Sequence, residues 1–140
     1  MSTATTTAAT PTTTTGRRAG HIALWVLQVL LAAVYLMSAA GKLGADPLQV
    51  AGFEAMGLGT GGMYFVGTAE LLGAIGLLVP RIAGAAALAL VALMVGAVVL
   101  TLVFVGAAMA AIPATVLVAV AVVAWGRRRS TADLVALVRR

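Results

Sequence analysis

The chain has 140 residues, 62% of them hydrophobic and 9% charged, with a net charge of +5 and a mean hydropathy of +1.11. An ordinary soluble domain carries about 25% charged residues, so nine basic and four acidic side chains cannot cover its surface, and lipid must be the solvent for most of the chain. With no cysteine and one histidine, disulfides, thiol redox chemistry, iron–sulfur clusters and a self-contained haem or zinc site drop out, and no covalently bound cofactor or metal is expected.

Residues 1–18 read as a disordered tail: nine threonines fall between positions 2 and 15, and such a segment has no apolar surface to bury. Arg17 and Arg18 end it. Residues 19–41 then run without a charge, which at 1.5 Å per residue is long enough to cross a bilayer, and the first span is placed at about 20–41. Trp25 and Tyr35 lie toward its two ends, as interfacial aromatic residues do. A signal-peptide reading, with Ser38-Ala39-Ala40 as the cleavage site, competes here. The apolar stretch exceeds the usual length of such a segment, which favours a retained span.

Between residues 42 and 61 the composition turns polar and glycine-rich. Asp46-Pro47-Leu48-Gln49 reads as a helix start, with Asp46 as cap and Pro47 in the first turn, and Gly57 as a stop. A short interfacial helix is expected over about 47–56, with Leu48, Ala51 and Phe53 facing inward.

Residues 62–79 are apolar apart from Glu70 and form the second span; Pro80-Arg81 closes it. The forty-five uncharged residues 82–126 are twice what one span needs. A turn at Gly106 with Ala107 and Ala108 divides them into spans at about 82–104 and 109–126, with Pro113 in the first turns of the last helix. Arg127-Arg128-Arg129 ends the bundle. Ser130 or Asp133 is the expected cap of a short amphipathic helix in the basic tail 127–140. The expected fold is therefore an all-α, four-transmembrane-helix bundle with a short interfacial helix between helices one and two.

Eight arginines (17, 18, 81, 127, 128, 129, 139 and 140) fall on one side of this arrangement and only Lys42 on the other. The positive-inside bias places both termini in the cytoplasm, and arginines at helix ends read as topology signals rather than as a nucleic-acid surface. Gly67, Gly73, Ala74 and Gly76 of the second span, with Gly84, Ala85, Ala87 and Gly96 of the third, let helices approach closely.

Glu70 is the most informative residue. A carboxylate at mid-span costs at least about 2.5–3.5 kcal/mol, so it must face the bundle or a wet cavity, and Gly67, Gly73 and Ala74 share its face. It reads as a proton-handling or ligand-orienting carboxyl, or as a protonated acid bonded across helices. Gln28 is a candidate partner: it is counted about 10 Å and Glu70 about 13 Å from the cytoplasmic ends of their spans. Tyr35 and Thr68, in the outer half, are supporting candidates. Lys42 reads as a snorkelling lysine, or as an ammonium over the outer mouth of the bundle, near Asp46, Glu54 or an anionic ligand. His21 is interfacial, and Met37, Met56, Met63, Met94 and Met109 are packing residues rather than a metal path.

Gly41-Lys42-Leu43, Phe53, Gly57, the run Gly67-Thr68-Ala69-Glu70-Leu71-Leu72-Gly73, Pro80-Arg81, Met94 and Gly96-Ala97 together resemble the DoxX-like family of small four-helix membrane proteins, over about residues 22–126. That family often has a histidine near the end of helix three, where this chain reads Thr101-Leu102-Val103-Phe104. The resemblance implies a bacterial plasma-membrane protein that is not an enzyme on its own. It would be an accessory subunit linked to a quinone/redox or oxidative-stress system, with quinone as the cofactor class. Its partners would be the lipid bilayer and other membrane or redox subunits, or a second copy in a homo-oligomer. Two other readings stand beside it. One is a small proton-coupled transporter, although four-helix exporters carry their carboxylate in helix one, where this chain has only Gln28. The other is a membrane assembly or stress protein without a small ligand.

Overall fold

A computed structural model describes residues 14–139. Six helices follow in chain order: α1 (Thr14–Leu43), α2 (Pro47–Ala55), α3 (Gly59–Leu78), α4 (Ala83–Phe104), α5 (Ala107–Gly126) and α6 (Arg128–Val138). Four of them, α1, α3, α4 and α5, are long and apolar enough to cross a membrane. They run up and down in a ring, α1 beside α3, α3 beside α4, α4 beside α5, and α5 back against α1. One end of the bundle carries Lys42 and α2. The other carries Arg81 and Arg127.

The ring encloses a core of Leu31, Ala32 and Tyr35 from α1, Ala74 and Leu77 from α3, Ala87, Leu90 and Met94 from α4, and Val120 and Val123 from α5. The outside is as apolar as the inside: Phe65, Val103, Ile112 and Val118 are each 65% or more exposed. Such a surface is stable only in lipid, so burial of apolar area does not hold the helices to one another. Close contact does. A Cβ on Gly76 would come within 2.6 Å of Ala86 Cβ, and one on Gly67 within 2.9 Å of Lys42 Cβ. Those two glycines set the α3–α4 and α1–α3 separations. Gly96 does not share this role, since it is exposed with nothing within 4 Å of its Cβ position.

The loops follow local chemistry. Asp46 caps α2, its Oδ1 accepting from Leu48 N at 2.9 Å and Gln49 N at 3.4 Å, with Pro47 in the first turn. Gly57 (φ +74°) and Gly106 (φ +118°) make the turns into α3 and α5 in backbone conformations that favour glycine.

Several boundaries and faces differ from the sequence reading. The first thirteen residues of the Thr-rich tail lie outside the described residues, and residues 14–18, assigned to that tail, are the first turn of α1. α3 begins at Gly59, three residues early. α6 begins at Arg128, so Ser130 lies inside it rather than before it; the Ser130 and Asp133 side chains lie outside the described residues. Of the three α2 residues expected inward, only Phe53 is buried. Leu48 is 82% exposed and Ala51 is also exposed, because the face carrying residues 48, 51 and 55 looks away from the bundle.

Candidate functional site

The cross-helix ion pair is Lys42 with Glu70. Lys42 lies at the last turn of α1, and its Nζ donates to Glu70 Oε2 at 3.0 Å, to Oε1 at 3.2 Å and to Ser38 Oγ at 2.6 Å. An ammonium has three N–H donors, and all three are used. Both residues are buried, Lys42 at 7% and Glu70 at 3% exposure.

Backbone direction explains why these two meet. In a helix every Cα–Cβ bond tilts toward that helix's N-terminus. α1 and α3 are antiparallel, so Lys42 leans down from the end of α1 while Glu70 leans up toward the start of α3. The same geometry carries Gln28 away from Glu70. Gln28 Nε2 donates instead to Leu77 O at 2.6 Å, close to the end of α3, and its Oε1 accepts from Arg127 Nε at 2.8 Å. The depth count that paired Gln28 with Glu70 assumed that α1 enters the bundle near residue 19. In fact Gln28 is level with the last turn of α3, two turns past Glu70.

The polar residues therefore form two separate clusters. At the arginine end, Gln28 ties α1, α3 and the segment after α5 together, and Arg127 lies over the Trp25 ring, 5.3 Å from its centroid. At the lysine end, Lys42, Glu70 and Ser38 join α1 to α3. Tyr35 belongs with the second group. It is fully buried rather than interfacial, and its hydroxyl has no hydrogen-bond partner. Thr68 belongs to neither: it is exposed, and its hydroxyl donates to Tyr64 O within its own helix at 2.8 Å. Lys42 does not reach Asp46, which caps α2, or Glu54, which is exposed. Ser38 and Arg127 were not singled out as site residues. Ser38 had a legible signal, the i, i+4 spacing to Lys42; Arg127, ninety-nine residues from Gln28, had none.

Beside the pair lies a cavity of about 600 Å3. Tyr35, Ser38, Lys42 and Glu70 form its polar edge, and Gln49 and Thr101 also border it. The rest is apolar, from α4 (Leu93, Met94, Leu100) and α5 (Ile112, Pro113, Val116). Phe53 of α2 and Met56 just after it border its lysine end. Among the described residues no cluster of histidine, aspartate or glutamate has the arrangement to hold a metal ion. The arrangement supplies a desolvated, internally neutralised charge pair at the rim of an apolar chamber.

No curated protein and no solved structure matches this chain. The model of the DoxX-like family matches residues 26–126, from within α1 to the end of α5, and so takes in Gln28, Tyr35, Lys42 and Glu70. With 101 of 140 residues covered by that match, the chain belongs to the DoxX-like family.

Proposed function

We propose that this multi-pass membrane protein is an accessory subunit of a quinone-linked redox or oxidative-stress system in a bacterial plasma membrane, with both termini in the cytoplasm. The observation that carries the reading is the chamber of about 600 Å3 with the Lys42–Glu70 pair on its rim. Its volume lies within the range of about 300–1,000 Å3 typical of small-molecule sites, and it combines apolar walls with a few convergent polar groups. A quinone head would find apolar walls and the unpartnered Tyr35 hydroxyl as donor, and would supply two-electron chemistry when bound. The chain's own residues bind and shield; among the described residues there is no metal-ligand cluster, and the sequence has no thiol, so electrons would come from a partner subunit.

The pairing of Glu70 bears on the transporter reading. Glu70 is engaged across helices by Lys42 rather than lying alone in a wet passage, a geometry that suits a fixed chamber wall.

The test is purification of the full chain in mild detergent, with identification of co-purifying proteins and extraction of bound quinone. Co-purification of a redox subunit or a stoichiometric quinone is expected. Recovery of the chain alone, together with wild-type resistance to oxidants in a deletion strain, would overturn the proposal.

A further inference from the structure

The chamber beside Glu70 has a door, and the door faces lipid. Val34 on α1, Val105 after α4, and Met109 and Ile112 on α5 all border the chamber, and all are about half exposed or more: 48%, 52%, 53% and 65%. Residues that line a cavity and are exposed at the same time mark an opening; Leu58, Ala92 and Gly96 are exposed lining residues too, but the four named above include the most exposed large side chains of the lining and fall together on the α1–α5 side. α1 and α5 touch at the arginine end, where Leu24 packs against Gly126 and Gln28 bonds Arg127; toward the lysine end both line the chamber, α1 through Val34 and α5 through Met109 and Ile112. The water-facing end is covered by α2, with Phe53 only 7% exposed. Entry is therefore sideways, from the leaflet at the lysine end.

The wall chemistry narrows what enters. Lys42 has spent its three donors, two of them on the carboxylate that cancels its charge, so an anionic head would find no free counterion. Tyr35 is different. Its buried hydroxyl has no partner, and an unsatisfied buried polar group calls for an explanation. A ligand oxygen is one that also explains the chamber.

We propose that the gap between α1 and α5 admits a neutral, lipid-soluble amphiphile whose carbonyl or hydroxyl oxygen hydrogen-bonds Tyr35 while its tail leaves between Val34 and Ile112. This names the ligand chemistry, the head-binding residue and the route for the site of the preceding section, and rests on that site being a binding chamber.

The test uses the full chain in nanodiscs, each sample with one added probe: a decyl-substituted benzoquinone, 1-dodecanol or dodecanoate. Occupancy is read by native mass spectrometry and folding by circular dichroism. At least one neutral probe should bind one-to-one, with dodecanoate at least about tenfold weaker. Binding of the benzoquinone alone identifies a carbonyl-headed source, and binding of dodecanol a hydroxyl-headed one. Tyr35→Phe should weaken the bound neutral probe about fivefold, the worth of one hydrogen bond. Ile112→Trp, on an exposed position at the mouth, should weaken it through steric blockage while leaving the core untouched; it decides the matter if Tyr35→Phe does not fold. No neutral binding, dodecanoate binding as tight as the neutral probes, or wild-type occupancy in either folded variant overturns the proposal. Failure of the redox reading would instead appear as absent partners with dodecanol binding intact.

Discussion

Arg127, just past the last span, donates its Nε–H at 2.8 Å to the carbonyl oxygen of Gln28 in the first span, and so closes the ring of helices at one end. Gln28 passes the link on to α3 through Leu77 O at 2.6 Å. In a bilayer, where lipid competes with leucine on equal terms, such ties do part of what a hydrophobic core does in water.

Replacing Gln28 with leucine therefore leaves Leu77 O and Arg127 Nε without partners. A loss of about 1–2 kcal/mol is expected for two interhelical bonds. Gln28→Glu keeps the acceptor for Arg127 and loses the donor to Leu77, so its stability should fall between wild type and Gln28→Leu. Thermal or denaturant unfolding in detergent measures the order. Equal stability of all three proteins would remove Gln28 from the account of bundle closure.

Close approach along α3 yields a graded series. At Gly76 the obstacle to a methyl is Ala86 Cβ, which is rigid, so Gly76→Ala should force α3 and α4 apart and cost about 1–3 kcal/mol as overpacking. Ala86→Gly in the same chain should restore most of it. Gly96→Ala, with open space at its Cβ position, should be neutral or slightly stabilising through helix propensity. Melting temperatures of the three variants decide whether the glycines act by contact or by composition.

Much of the architecture was legible because lipid imposes simple rules. Charge-free runs of sufficient length mark spans, and Asp46-Pro47 and Gly106 mark the breaks through capping and backbone conformation. The site was legible only in part. Glu70 announces itself by the cost of burying it, and Lys42 reads either as snorkelling outward or as an ammonium over the bundle mouth near Asp46, Glu54 or an anionic ligand, neither of which names Glu70 as its partner. Whether it bends in or out depends on the helix opposite, and α3 places Glu70 there. Gln28, a candidate partner of Glu70 by depth, bonds Leu77 O and Arg127 instead, because the sequence does not give the vertical offset between helices. The inward face of α2 differs for a related reason: a rotation of about half a turn of a nine-residue helix moves Leu48 from the bundle side to an exposed position.

Reporter fusions test orientation. Fusions near Arg81 and at the C-terminus should report cytoplasm, and a fusion in the loop at Asp46 should report the opposite side, following the arginine bias. An outward signal at Arg81 would reverse the bundle and place the chamber mouth in the other leaflet.

The Lys42–Glu70 pair permits the sharpest separation of structure from function. Removing one partner leaves the other as an uncompensated buried charge, so Lys42→Met alone should destabilise the fold by about 3–5 kcal/mol. Glu70→Gln strands the ammonium but preserves shape and one acceptor, and should cost less. Removing both, as in Lys42→Met with Glu70→Leu, should recover most of the stability, because an apolar pair of similar size often equals or exceeds a buried ion pair. If the pair serves only to join α1 to α3, the double variant should also restore resistance to oxidants in a deletion strain. If the pair forms the rim of a binding chamber, the double variant should accumulate at wild-type levels, unfold at near wild-type temperature and still fail to complement. Abundance must be measured in the same cells, since complementation is informative only where the protein is present. Full complementation by the stable double variant would reduce Lys42 and Glu70 to a structural clasp.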